Sequence, residues 1–197
     1  SNFPKKWFDA TILAPRYNIS WWEGEIKKKF KNSIFLKHNE SLNFNKNIRF
    51  QMFLNTNGEF DSSIKIKNSK NCIFLQTDNL MDEKEAKRIS KIDRIDLAFV
   101  IPFLTGIFPG FYKWDSDTLI KLSNDKIQKS LNYCSNIVKS LSPKYTVPYA
   151  CDLGYLGELF HINLIHRHNK EDLVKILNKK KIKTKSFILN PSDYVKF

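Results

Sequence analysis

The chain has 197 residues, of which 42% are hydrophobic and 14% aromatic. A chain of this length and composition can bury its own core, which predicts a single domain over residues 1–197 and excludes a disordered chain. Its apolar runs, such as Leu97 to Phe108, contain Pro and Gly and are shorter than the roughly 18 residues of a membrane span. The polar and basic start, Ser1 to Phe8, lacks the apolar core of a signal peptide.

The cysteines also bear on the class of protein. Cys72, Cys134 and Cys151 are odd in number, have unrelated spacings and form no Cys-x-x-Cys pair. This pattern is typical of buried thiols in a reducing compartment rather than of a disulfide framework or a zinc site. We therefore expect a cytoplasmic protein.

The net charge of +13 raises the question of a nucleic-acid partner. Only five of the 33 basic residues are Arg, however, and Arg is the residue expected where phosphates are bound in bidentate fashion. The Lys-rich composition favours a solvated basic surface over a nucleic-acid groove. A nucleic-acid-associated basic domain stays as an alternative.

In the first half of the chain, apolar periodicity predicts mostly strands. The predicted elements are a strand at Asp9 to Leu13, a helix at Trp22 to Lys31, and strands at Ser33 to Leu36, Asn47 to Leu54, Ser63 to Ile66 and Cys72 to Gln76. Turn signals at Asn57-Gly58 and Asn68 to Asn71 separate the last three strands. These strands are therefore expected to form an antiparallel meander.

In the second half, strands alternate with helices. Helices are predicted at Asp82 to Lys91, Asp125 to Leu141 and Lys170 to Lys179, and strands at Asp96 to Pro102, Tyr145 to Tyr149 and Ser186 to Leu189. Asp82 or Asn79 could cap the first of these helices. Ser142-Pro143 ends the second, because the residue before proline avoids helical geometry. The alternation predicts a layered α/β fold.

Several short stretches, in their order and spacing, are similar to one known family. They are Asp9-Ala10-Thr11-Ile12, Asp61-Ser62-Ser63-Ile64, Gln76-Thr77-Asp78, Pro143-Lys144-Tyr145 and Asn190-Pro191-Ser192-Asp193. Together they resemble the metallo-β-lactamase superfamily, in particular its branch of CMP-N-acetylneuraminate hydroxylase-like and lactonase-like proteins. The resemblance implies a four-layer αββα sandwich. The family's N-terminal strands would precede Ser1, which implies a truncated, split or reduced form of that fold.

The resemblance also implies where metal ligands would stand, and this chain departs there. The family's His-x-His-x-Asp-His loop corresponds to 14–20, which contains neither His nor Asp, and the two later His positions fall near 55–58 and 148–150. Asp78 remains as a ligand, but one carboxylate cannot hold a Zn²⁺ that takes three or four protein ligands. We therefore expect no binuclear metal site and no cofactor, with Zn as the alternative.

A relocated metal site is the other interpretation. His161, His166 and His168 lie close together, and on a strand His166 and His168 would point to the same face. With Asp78 they could form a metal site of a metal-dependent hydrolase. A polar loop before the last helix, capped by Asn169, explains the same residues without a metal.

The segment that replaces the metal loop is aromatic and basic. Arg16, Tyr17, Trp21 and Trp22 would lie at the mouth of the ancestral pocket, and the later loop would add Phe108, Phe111 and Tyr112. An aromatic-lined pocket suits a small planar or apolar ligand. A structural plug in the vacated cavity and a homodimer contact are the alternatives. The main functional hypothesis is thus a small-ligand or partner-binding protein of unknown substrate.

Overall fold

The computed structural model describes residues 9–55, 60–102, 109, 112–150, 156–157, 170–190 and 192–196. The strands are β1 (Thr11–Pro15), β2 (Asn32–Leu36), β3 (Ser41–Asn43), β4 (Arg49–Leu54), β5 (Ser62–Lys67), β6 (Cys72–Leu75), β7 (Leu97–Val100), β8 (Tyr145–Pro148) and β9 (Lys185–Ser186). The helices are α1 (Ser20–Lys29), α2 (Glu83–Ile92), α3 (Ser116–Leu141) and α4 (Lys170–Lys179). None of the described helices is both long and apolar enough to cross a membrane.

The described strands form two sheets. β1 and β2 pair in parallel, with α1 between them in the chain and packed against β2. The other sheet has seven strands in sequence order, β3 to β9. Neighbouring strands from β3 to β6 pair antiparallel, and neighbouring strands from β6 to β9 pair in parallel. The antiparallel meander and the layered α/β fold predicted from the sequence are confirmed.

The main core lies on one face of the seven-stranded sheet, under the helices. Phe53 of β4 and Phe74 of β6 are fully buried and pack with apolar residues of α2, α3 and α4. The strand period of two places Phe53 on this face and Met52 on the other. Burial of each such side chain stabilises the fold by about 1.5–3 kcal/mol. The packed helices hold the sheet edges in fixed positions.

Helix α3 begins earlier than the predicted Asp125. The side chain of Asp115 caps it by accepting the Thr118 N–H at 2.9 Å. The prediction was wrong because Ser123, Asn124 and Asp125 have the composition of a helix start. Instead, the Ser123 hydroxyl donates to the Leu119 carbonyl at 2.8 Å, inside a continuing helix. Helix α1 likewise begins at Ser20 rather than Trp22.

The last strand is shorter than the predicted Ser186 to Leu189. The Phe187 N–H donates to the Thr146 carbonyl at 2.9 Å, and the ladder ends there. The next bond of a parallel ladder would need an N–H from Pro148, which has none.

The cap of α2 is Asp82, one of the two predicted residues, and its side chain accepts the Glu85 N–H. The predicted Asn57-Gly58 turn lies outside the described residues.

Candidate functional site

The parallel strands β6, β7 and β8 end at one edge of the sheet, where a backbone N–H meets a polar side chain. The Thr77 N–H donates to the Tyr149 hydroxyl at 3.0 Å, across the ends of β6 and β8. Burial raises the pKa of Tyr149, the Thr77 hydrogen bond opposes that shift, and the carboxylate of Asp78 adds to it. Asp78, the predicted metal ligand, is therefore an exposed carboxylate beside a half-buried phenol.

The segment after β1 reaches the same edge through Ser62. The Thr77 hydroxyl donates to the Ser62 carbonyl, and Tyr17 shares a hydrogen bond with the Ser62 side chain. Burial raises the pKa of Tyr17, the Ser62 bond lowers it, and the nearby carboxylate of Asp61 raises it. Ser62 thus lies between the predicted ligand-binding segment and the edge that carries Asp78.

An open cleft of about 680 Å³ lies beside Tyr17, on the surface of α1. The described residues lining it are Arg16, Tyr17, Asn18, Ile19, Glu23, Gly24, Lys27 and Lys37. The Arg16 guanidinium donates to Glu23 at 2.8 Å, and Lys27 pairs with the same carboxylate at 3.3 Å. Since these lining residues include three cations and one carboxylate, the cleft carries an excess of positive charge.

The tryptophans predicted for this site lie next to the cleft rather than in its described lining. Trp22 donates its indole N–H to the Pro15 carbonyl at 3.1 Å, and its ring lies 5.8 Å from that of Tyr17. Trp21 is 63% exposed and packs edge-on against Trp22 at 6.3 Å. The Tyr17 ring also contacts that of Phe60, with 5.6 Å between the ring centres. Trp22 and Phe60 therefore hold the ring of Tyr17 in place.

The other predicted ligand-binding residues come from the loop before α3. Tyr112 is 62% exposed, and its ring lies 6.2 Å from that of Trp114. Phe108 and Phe111 lie outside the described residues, as do the predicted metal ligands His161, His166 and His168. The structure therefore brings Arg16 and Tyr17 together at the cleft and leaves these other placements as predictions.

The described residues do not fit the binuclear metal site that the resemblance implies. Among them, no group of three or more His, Cys, Asp or Glu side chains has the spacing needed to hold a metal ion. Arg16 and Tyr17 stand in the segment where the family places its His and Asp ligands. His38 has a structural contact instead: its Nδ1 accepts the Leu54 N–H at 3.1 Å, and its Nε2 lies 3.5 Å from Glu85.

Sequence reasoning missed three charged residues of the cleft, Glu23, Lys27 and Lys37. Glu23 and Lys27 are four residues apart on α1, a spacing that places both on one helix face. Lys37 directly follows β2, whose last residue pairs with Pro15 at the end of β1. Arg16 and Lys37 must therefore leave the small sheet at the same edge. The parallel pairing of β1 and β2 was the signal that could have placed them together.

Comparisons with known proteins give a consistent result at the level of the fold. No family model matches the sequence, and no curated protein matches it. A solved metallo hydrolase from the archaeon Ignicoccus hospitalis is similar with a TM-score of 0.59 at 12% identity, covering 95% of this chain and 69% of that chain. An isothiocyanate hydrolase from Delia radicum gut bacteria has a TM-score of 0.54 at 12% identity, covering 96% and 68%.

A third similar structure is described as having the metallo-β-lactamase fold. The metallo-β-lactamase fold protein YhfI from Bacillus subtilis has a TM-score of 0.50 at 9% identity, covering 91% of this chain and 63% of that chain. The class is thus an α/β protein with helices flanking two sheets. The chain has the metallo-β-lactamase fold, which confirms the resemblance seen in the sequence motifs. It spans about two thirds of the length of these neighbours.

Proposed function

We propose that this metallo-β-lactamase-fold protein binds a small anionic, planar molecule in the cleft that the β1–α1 loop forms with α1 and Lys37, without the binuclear metal centre of the fold. The observation that carries the proposal is the cleft itself, which lies in the segment that replaces the family's metal loop. Its volume of about 680 Å³ falls within the usual range of small-molecule sites, about 300–1,000 Å³.

The charges of the lining support an anionic group on the ligand. Arg16 and Lys27 both contact Glu23, so the single carboxylate balances only one of them, and Lys37 adds a further charge. The guanidinium of Arg16 keeps donors beyond the one given to Glu23, and its fork geometry matches a carboxylate or phosphate. The proposed ligand therefore carries either a free carboxylate or a phosphate group.

The ring of Tyr17 supports a planar group next to that anion. It lines the cleft, and its ring contacts the rings of Trp22 and Phe60. A ring fixed in this way can stack on a ligand with little loss of side-chain entropy. An aromatic or heterocyclic acid combines both features.

The test compares a charged probe with an uncharged one of the same shape, benzoate against benzamide, by NMR titration. Benzoate is expected to shift the signals of residues around Tyr17, and benzamide is expected to bind more weakly. Lys27→Gln should weaken benzoate binding by about tenfold, the usual effect of losing one charge-assisted contact. Lys29→Gln is the matched control, because it removes the same charge from the same helix outside the described cleft lining.

Equal loss in the Lys27→Gln and Lys29→Gln proteins would show a general effect of charge and would contradict the proposal. Benzamide binding as tightly as benzoate would contradict the anionic class of ligand.

A further inference from the structure

A second group of basic residues lies on the helix-covered face of the seven-stranded sheet, away from the cleft. Arg49 of β4 pairs directly opposite Lys67 of β5, and Lys65 lies two residues before Lys67, on the same face. Like charges placed opposite each other on paired strands destabilise a sheet. Three cations in one patch therefore need a compensating anion.

Asp93, which directly follows α2, supplies part of that compensation. Its carboxylate accepts hydrogen bonds from Lys65 at 2.7 Å, from Arg49 at 3.0 Å, and from Lys67. Lys65 is 1% exposed, so its charge is balanced inside the protein by Asp93. The nearby Asp96 carboxylate accepts the Cys72 N–H at 2.9 Å. One charge on Asp93 cannot balance three cations.

Arg49 and Lys67 also face an open pocket of about 250 Å³. The described residues lining it are Asn43, Asn45, Lys46, Asn47, Ile48, Arg49, Lys67, Asn68 and Ser69. No carboxylate occurs among these lining residues, while Lys46 adds a third positive charge. The volume is below the usual range for drug-sized ligands, so it suits an oxyanion or a phosphorylated fragment.

We propose that this pocket, defined by Arg49, Lys67 and Lys46, binds a small multivalent oxyanion such as a phosphate or pyrophosphate group. Arg49 and Lys67 each have donors left after their bonds to Asp93, since a guanidinium carries five N–H groups and an ammonium three. Amide and hydroxyl groups of Asn47 and Ser69 line the same pocket and can complete the hydrogen bonding. The bound anion balances the charge that Asp93 leaves uncompensated.

The pocket and the cleft are separate sites. The pocket is built on the turns between β3 and β4 and between β5 and β6. These turns lie at the edge opposite the one where Thr77 and Tyr149 meet, because β6 runs from the pocket towards Thr77. Anion binding in the pocket therefore does not depend on ligand binding in the cleft.

Isothermal titration calorimetry with inorganic pyrophosphate at low salt tests the proposal. One molecule is expected to bind per chain, and the affinity should fall as salt is added. Arg49→Gln and Lys67→Gln should each weaken binding by about tenfold, because each removes a charge-assisted hydrogen bond. Lys65 still balances Asp93 in both proteins, so both are expected to fold, which thermal melting checks.

Two control variants make the test specific. Lys70→Gln removes a charge from the turn between β5 and β6 without altering a described lining residue, and Arg16→Gln alters the cleft alone. Both should bind pyrophosphate as the unaltered protein does. The proposal is overturned if pyrophosphate does not bind, if Lys70→Gln weakens it as much as Arg49→Gln, or if Arg16→Gln abolishes it. It is also overturned if a short single-stranded DNA binds through Arg49 while pyrophosphate does not.

Discussion

At the scale of single residues, the pair formed by Lys65 and Asp93 is the most deeply buried ion pair described. Lys65 is 1% exposed and Asp93 7% exposed, and their charged atoms are 2.7 Å apart. The ammonium also lies 5.7 Å from the ring centre of Phe53. Removal of one member of such a pair leaves an uncompensated buried charge, which costs more than the pair contributes. Lys65 therefore depends on Asp93 for its place in the core.

The variant Asp93→Asn should lower the free energy of unfolding by about 3–5 kcal/mol at neutral pH, the usual cost of leaving a buried charge unpaired. Urea denaturation measures this change. Asp172→Asn is the matched control, since Asp172 pairs with Lys175 on the surface at 3.0 Å. Its loss should cost less than about 1 kcal/mol. Equal effects of the two changes would contradict the buried-pair account.

The same carboxylate gives a prediction about acid. Burial raises the pKa of Asp93, but the hydrogen bonds from Lys65 and Lys67 outweigh it and hold the pKa below the ordinary value of 3.8. A carboxylate with a lowered pKa stabilises the folded state to the full extent above pH 3.8. This stabilisation is lost as the pH falls through the lowered pKa. The stability difference between the unaltered protein and Asp93→Asn should therefore shrink below about pH 3.8. A difference that grows in acid would be inconsistent with this sign.

The cysteines match their expected role as buried thiols where the structure describes them. Cys72 is 2% and Cys134 0% exposed, and the Cys72 thiol is free. Burial raises the pKa of Cys72 to about 11, and Lys65 partly opposes that shift. Since a thiolate is the reactive form, Cys72 is chemically inert at neutral pH. Cys151 lies outside the described residues.

At the scale of elements, the start of α3 depends on a single cap. Asp115→Ala should lower the free energy of unfolding by about 0.5–2 kcal/mol, because the Thr118 N–H loses its acceptor. Asp117→Ala, within the first turn, is the control and should cost less. Urea denaturation of both proteins measures the difference. A larger loss in Asp117→Ala would show that charge near the helix end, rather than the cap, determines stability.

Element boundaries show which features the sequence could predict. Alternation in β4 and β5 was strong enough to place both strands and their antiparallel pairing. The polar residues at 123–125 led to a predicted start of α3 that is nine residues too late. A serine whose hydroxyl donates to a carbonyl of its own helix has the same sequence signal as a cap. The end of β9 was set by Pro148 on a different strand, which no local pattern of 186–189 contains.

At the scale of the molecule, the sequence motifs predicted the metallo-β-lactamase fold, and the solved neighbours confirm it. The site was only partly predictable. Arg16 and Tyr17 followed from the motif order, whereas Glu23, Lys27 and Lys37 needed the parallel pairing of β1 with β2. Tyr149 lies beside Thr77 and Asp78 because β6 and β8 end at the same edge of the sheet. Residues that meet through strand order are not visible in any local pattern.

For the molecule as a whole, we propose that a basic and aromatic cleft stands where the resemblance places the metal-binding segment. In this proposal Arg16 and Tyr17 serve an organic anion and take the place of ligands that a zinc site needs. Asp78 keeps its place at the sheet edge beside Tyr149. Under this proposal Asp78 holds no metal ion.

Elemental analysis of the purified protein, before and after dialysis against zinc, iron and manganese salts followed by desalting, tests this claim most directly. We predict substoichiometric metal in every sample and the same content in the Asp78→Ala variant. One or two equivalents of a metal ion per chain, lost in Asp78→Ala, would contradict the account and would restore the metal-dependent hydrolase.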